Sequence, residues 1–399
     1  MSWIALKMLV GDRAKFYGIV LGLTFAALLI TQQGSIFCGL MLRTSAQITD
    51  ITGADLWVMD PSVRFIDDVK PMQETNLYRV RGVPGVAWAV PLYKGIGRGK
   101  LTTFDRSGRE QLIIEQVILL GLDDVSLVGA PQKLYVGAYS RLREPDAVIV
   151  DRVGLRKLFP GQGGELSEDP AFLARFLGRE LEMNDHRAVI VGICESTRTF
   201  YTYPVLYTTY SRAKQFVPQE RKPLSYILAK AEPGQAPDEV ARRIGELTGL
   251  GAKTSKQFQD MTIDYYLRYT GIPINFGITV LLGFLVGTAI AGQTFYNFTI
   301  ENLKQFGSLK AMGVSNWRLV GMILLQAAIV GAIGYGLGIG LAVLFGKAMA
   351  AAAKTVPLAF FMPWHVLVGV AAAVVVIAML ASLLSIRRVL VLEPAVVFK

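Results

Sequence analysis

The chain has 399 residues, of which 52% are hydrophobic and only 18% charged, with a formal net charge of +10; this excludes a disordered chain and argues against an ordinary soluble globule. Two cysteines exclude a disulfide framework or a four-thiolate zinc site, and two histidines, His186 and His365, leave no cluster for a metal.

Residues 1–16 read as a short cytoplasmic amphipathic segment carrying Lys7, Arg13 and Lys15. Between Lys15 and Arg43, the 27 positions 16–42 contain no charged residue. A helix needs about 20 apolar residues to cross a hydrocarbon layer, and helices are the default there because the backbone must satisfy itself. Residues 17–42 are therefore predicted as the first spanning helix. It reads as a retained anchor, because no small-residue cleavage site follows it and Phe37, not a small residue, precedes Cys38. Thr24, Thr31 and Ser35 share one face, with Gln32 and Gln33 alongside. Lipid penalises such groups, so they are expected either to hydrogen-bond to other helices or to line a substrate path.

Residues 43–268 are predicted as a large extracytoplasmic α+β domain with helical stalks at about 43–52 and 255–268. Strands are expected at 86–90, 111–122, 147–150, 188–194 and 226–229, which are rich in Val, Ile and Leu and bounded by turn residues. Helices are expected at 151–158, 168–178, 209–216 and 236–249, and an exposed loop at Gly161–Gly164. Whether the domain splits into two lobes near 124–185 stays open. It holds 30 basic and 28 acidic residues, so most of the net charge lies in the remaining segments, beside the membrane. No basic stripe interleaved with aromatics points to nucleic acid.

Three further spans are predicted at 269–298, 319–346 and 364–386, with a short outer loop at 347–363 and a tail at 387–399. Gln293 and Asn297 lie four apart in the second, joined by Thr294. Glycines four apart, as in Gly18/Gly22, Gly283/Gly287 and Gly334/Gly338, are expected to let helix backbones approach closely. No Asp, Glu, Lys or Arg lies inside a span, which disfavours a proton relay or ion-coupled pump. His365, beside Trp364, reads as an anchor at the membrane edge. Lys7, Arg13, Lys15, Lys304, Lys310, Arg318, Arg387, Arg388 and Lys399 fall on one side; only Lys347 and Lys354 occupy the short opposite loop. Both termini and the 299–318 loop are therefore expected in the cytoplasm.

Catalytic chemistry is hard to find. Gly95–Lys100 has neither the glycine spacing nor the Ser/Thr of a Walker A loop and reads as part of a hairpin. No G-x-S-x-G elbow accompanies His186, which reads as a solvated loop residue. Cys38 and Cys194 are not expected to pair. The chain is read as having no enzyme activity or bound cofactor of its own.

The 299–318 loop is the most informative segment. Leu303, Phe306, Leu309 and Met312 recur every three residues as an apolar stripe on a short helix; Gly313 is placed to end it and Ser315 to cap the next helix. Such a helix either lies on the lipid surface or fills a groove on a partner.

The segment Gln305–Gly313 resembles the coupling segment "E-I-G-x-x-K-A-x-G" of the MacB/FtsX-like permeases, membrane subunits of type VII ABC transporters. Gly307, Lys310, Ala311 and Gly313 match, and Gln305 replaces the acidic residue. Leu392–Ala395 resembles the family's "D-P-x-x-A-L-R" end, with Glu393 for Asp, then Pro394 and Ala395. Ile118–Asp123, Ala188–Gly192 and Pro204–Tyr207 resemble strands of its outer domain, and the order helix, outer domain, three helices is the family's; among subgroups the DevC-like stand-alone permeases are the most similar. The resemblance implies an inner-membrane homodimer with two copies of a separate ATPase, which hold ATP and magnesium and dock at Glu301, Gln305, Phe306, Gly307, Leu309, Lys310, Ala311 and Gly313. It implies export of a hydrophobic or amphipathic substrate by mechanotransmission, with a periplasmic adaptor and outer-membrane channel as further partners. The alternative it carries is an FtsX-like regulator of an extracytoplasmic hydrolase.

Overall fold

The computed structural model describes residues 2–104, 110–160, 167–218, 224–351 and 358–391. The loop expected at Gly161–Gly164 and the terminal Glu393, Pro394 and Ala395 lie outside them. The chain divides into two compact units, Met1–Leu40 with Gly271–Lys399, and Met41–Thr270.

Among the described residues of the first unit, four helices are long and apolar enough to cross a membrane: Arg13–Thr44 (helix 1, which continues into the second unit), Ile272–Glu301 (helix 2), Asn316–Ala351 (helix 3) and Trp364–Val391 (helix 4). A shorter helix, Ser2–Gly11, precedes them. Close approach replaces the hydrophobic drive that lipid cannot supply. A methyl group on Gly334 would come within 2.7 Å of Leu23, and one on Gly338 within 2.5 Å of Ala27. Helix 2 meets helix 1 in the same way, Gly287 against Ala26 and Ile290 against Gly22. Helix 4 buries Val370, Val374, Ile377, Ala378 and Ala381, the single stripe expected of a 3.6-residue period.

The described residues of the second unit form ten strands: Leu56–Met59 (β1), Val86–Phe104 (β2), Glu110–Leu122 (β3), Lys133–Gly137 (β4), Ala147–Asp151 (β5), Glu180–Met183 (β6), His186–Glu195 (β7), Val205–Thr209 (β8), Tyr226–Ala231 (β9) and Gly251–Thr254 (β10). They form one sheet in the order β10-β1-β9-β2-β3-β8-β5-β7-β4, with β6 pairing β2 and β7. Strand β2 pairs β9 through Val86–Leu92 and β3 through Tyr93–Phe104, so it links the two parts of the sheet. The pairs β3/β8 and β5/β7 are parallel.

Both faces of the sheet are covered, and alternate residues enter two different cores. Leu56, Val58, Val117, Leu119, Val148 and Val150 enter one; Trp57, Met59, Ile118, Leu120, Ala147 and Ile149 enter the other. That double burial explains why the strands read as nearly continuous apolar runs.

Every strand expected from the sequence is present. Gly95–Lys100 lies within β2, on the approach to a hairpin with β3. Three expected helices are shorter. The helix expected over 151–158 covers only Leu155–Leu158, because Asp151 ends β5 and its carboxylate accepts from the Gly154 N–H at 2.8 Å, closing a turn. The helix at 168–178 breaks into Pro170–Leu173 and a 3-10 turn, and that at 209–216 covers Tyr210–Ala213. Pro237–Thr248 forms as expected and ends on Gly249. The helix Ser255–Tyr269 opens with a reciprocal cap: Thr254 Oγ1 accepts from Gln257 N–H at 3.2 Å, and the Gln257 side chain accepts from Thr254 N–H at 3.1 Å.

Candidate functional site

The loop between helices 2 and 3 folds as a nine-residue helix, Leu303–Ala311. Asn302 makes the corner: its side-chain amide donates to the Phe298 carbonyl at 2.8 Å, and its own carbonyl accepts from Phe306 N–H at 3.1 Å. The far end is a Schellman turn. Gly313 sits at φ +89°, its N–H donates to Lys310 O at 3.1 Å, and Val314 N–H donates to Leu309 O at 3.1 Å. Glycine is required there because a Cβ would be strained at that φ. Ser315 opens helix 3 through its carbonyl, which accepts from Arg318 and Leu319 N–H groups.

The apolar stripe divides. Phe306 is fully buried and Leu309 nearly so, in the same core as Ala5, Leu9, Phe298 and Leu319. Gly307 is also buried, whereas Lys304, Gln305, Ser308 and Ala311 are exposed. Met312 is 72% exposed and Trp317 84%. Phe306 and Leu309, expected on a docking face, therefore fasten the helix to its own unit. Lys304, Gln305, Ser308, Met312 and Trp317 are left exposed.

Two cationic contacts fix the mount. Lys310 Nζ donates to the main-chain oxygen of Leu390 at 3.1 Å, in the last turn of helix 4, where the helix dipole is negative. Glu301, one of the residues at which the resemblance implies docking, pairs with Lys15, which also binds Asp12 at 2.6 Å. The N-terminal helix joins the same assembly: the buried Gln326 of helix 3 donates from Nε2 to Ala5 O at 2.8 Å. Sequence reading placed Lys15 beside the membrane but not against Glu301, and it missed Gln326 and Asn302. The one local signal was the polar Gln326 amide inside an otherwise apolar run.

The polar residues of the spans separate into two groups. Thr24, Thr31 and Ser35 are buried, and Thr31 Oγ1 donates to Ala27 O at 2.6 Å. Gln32 is half-buried. Gln293 and Asn297 are exposed on helix 2, so they are not brought into a cavity within one copy of the chain. Cys38 and Cys194 are both free thiols. Among the described residues, no group of three or more His, Cys, Asp or Glu is placed to hold a metal ion.

Comparison with known proteins places these elements in a family. Residues 18–247 match the model of the MacB-like periplasmic core domain, and residues 255–394 that of the FtsX-like permease C-terminal region. Uncharacterized ABC transporter permeases of Mycobacterium bovis and Mycobacterium tuberculosis are 25% identical over 228 residues, covering 57% of this chain and 59% of theirs. The matched stretch thus spans less than two thirds of those relatives. A second uncharacterized permease of Mycobacterium tuberculosis is 22% identical over 362 residues, 89% of this chain and 88% of that one. Among solved structures, the periplasmic region of MacB from Actinobacillus actinomycetemcomitans matches at 13% identity and TM-score 0.36, over 56% of this chain and 96% of that one. The extracellular domain of the noncanonic ABC-type transporter YknZ matches at 13% identity and TM-score 0.33, over 50% and 98%. With four apolar helices and a model matching more than half its length, the chain belongs to the MacB/FtsX-type ABC transporter permeases.

Proposed function

We propose that this chain is the membrane subunit of an exporter worked by a separate ATPase, and that the helix Leu303–Ala311 is where the ATPase docks. The observation that carries this reading is the way that helix is mounted. Phe306 and Leu309 root it in the bundle core, Lys310 ties it to the end of helix 4, and Gln305, Ser308, Met312 and Trp317 are left exposed. A push on the exposed side reaches the spans because the buried side is close-packed. ATP and magnesium belong to the partner subunits; this chain supplies the platform. With Gln305 in the acidic position, docking rests on neutral hydrogen bonding and on Met312 and Trp317 packing.

The exposed amides of Gln293 and Asn297 support pairing of two copies along helix 2, since lipid leaves them unsatisfied and a second copy covers them. In the assembled dimer two ATPases close on ATP, the spans shift, and the unit Met41–Thr270 moves on the outer side of the inner membrane. Both termini lie in the cytoplasm. A hydrophobic or amphipathic substrate is then expelled from the outer leaflet or outer compartment, with an adaptor and an outer-membrane channel as further partners.

The test is co-purification with the companion ATPase and measurement of ATP turnover. Combined Gln305→Ala, Met312→Ala and Trp317→Ala should lower association or turnover about tenfold at an unchanged melting temperature. Wild-type values for both refute the docking face. A cell-wall hydrolase captured by the outer unit, from a dimer that carries no substrate, moves the chain to the FtsX-like regulatory reading.

A further inference from the structure

The parallel neighbours β5 and β7 end side by side, Asp151 opposite Cys194, and Arg152 N–H donates to Cys194 O at 2.8 Å. Beyond their carboxyl ends the chain leaves a cavity of about 190 Å³, lined by Arg152, Val153, Cys194, Glu195, Ser196 and Arg198. Its volume is several times the roughly 30 Å³ share of one water.

The charges around this cavity are unevenly matched. Arg43, Arg152 and Arg156 all act on Arg198 with like charge. Burial and those guanidinia hold Arg198 below the ordinary arginine range, with Asp151 pulling the other way. The acids nearby are already engaged. Asp151 accepts from Val205 N–H at 2.7 Å and Gly154 N–H at 2.8 Å. Asp50 accepts from Thr197 N–H at 2.7 Å, Thr197 Oγ1 at 2.6 Å and Ser196 Oγ at 3.2 Å. Glu195 pairs with Lys133 at 3.1 Å, and Glu168 with Arg152 at 3.3 Å. Arg198 makes no ion pair with any of them. Its planar fork of donors can bind two oxygens of one phosphoryl or carboxylate group at once. Arg43 is the first charged residue after the apolar run 16–42.

We infer that the cavity at the ends of β5 and β7 is a phosphate-class oxyanion site, closed by Arg198 and Arg152 and filled by a phospholipid headgroup or by free phosphate. Nothing in this inference depends on export or on an ATPase.

The experiment uses the full chain in detergent. Its melting temperature is followed against dihexanoyl phosphatidylglycerol, the matched diacylglycerol, inorganic phosphate, and chloride at equal ionic strength. Native mass spectrometry counts the bound molecules. A rise with phosphatidylglycerol but not with diacylglycerol identifies the headgroup as the ligand; a rise with inorganic phosphate over chloride identifies a soluble anion. In either case Arg198→Gln should weaken the apparent affinity at least tenfold. Should that variant fail to fold, Arg198→Lys, which keeps the charge and loses the fork, should still weaken it several-fold. No response to either phosphate compound, or equal affinity in the wild type and the folded variant, overturns the site.

Discussion

Lys310 Nζ reaches the main-chain oxygen of Leu390 at 3.1 Å, so the short helix after helix 2 is tied to the end of helix 4 across eighty positions of sequence. This contact joins the proposed docking platform to a span with which it shares no local sequence.

Replacing Lys310 with Met keeps the length and removes the charge. The expected stability cost is small, about 0.3–1 kcal/mol, typical of a cation at a helix C-terminus. If the contact transmits motion, ATP turnover by the assembled complex falls well beyond what that cost implies, and Lys310→Arg restores part of it. A matched set of melting curves and turnover rates distinguishes the two effects.

Phe306 and Met312 should behave oppositely despite sharing one stripe. Phe306→Ala empties a fully buried site and should cost about 3–5 kcal/mol. Met312→Ala, at a position 72% exposed, should leave stability within about 0.5 kcal/mol and weaken ATPase association instead. Thermal unfolding in detergent and pull-down of the ATPase measure the pair. Equal melting temperatures for the two variants contradict the burial pattern.

Helix packing is tested at the glycines of helix 3. Gly338→Leu drives a side chain into Ala27 and the backbone at Leu28, and should destabilise by at least the 1–3 kcal/mol typical of overpacking. Gly336→Ala and Gly340→Ala face open space. They should be neutral or slightly stabilising through helix propensity, worth about 0.8–1 kcal/mol. Melting temperatures of the three variants, compared side by side, check the ranking.

Burial pushes the Asp151 carboxyl up to about 6 from an ordinary 3.8, although the Val205 and Gly154 N–H groups pull it down. The folded state therefore holds the proton more tightly than the unfolded one. The resulting stabilisation is complete below pH 3.8 and is lost as pH rises through about 6. It totals about 3 kcal/mol. Asp151→Asn should flatten the melting profile across that interval. It should also lower overall stability by about 1–3 kcal/mol, because one of two buried N–H groups loses its acceptor. An unaltered pH slope in the variant assigns the titration to another group.

Some of this molecule was written in local pattern. Charge-free runs of 27 to 32 residues demand spanning helices through length alone, and the Val/Ile/Leu runs between turn residues mark strands such as β5 and β7. The glycine spacings foretold close helix contact, and Gly313 foretold the end of the loop helix. The capping box at Thr254–Gln257 is equally local.

What the tertiary structure decided is which partner each residue meets. A three-residue period tells that Phe306 and Met312 lie on one stripe; only the neighbouring helices determine that one is buried and the other bare. Lys15 with Glu301, Gln326 with Ala5, and Arg198 with Arg152 are each brought together by long-range register, and a one-dimensional period carries no information about it. Sequence by itself therefore established the class of molecule and its elements. The fold alone chose the platform's exposed face and gathered the arginines, because both depend on packing between segments far apart in the chain.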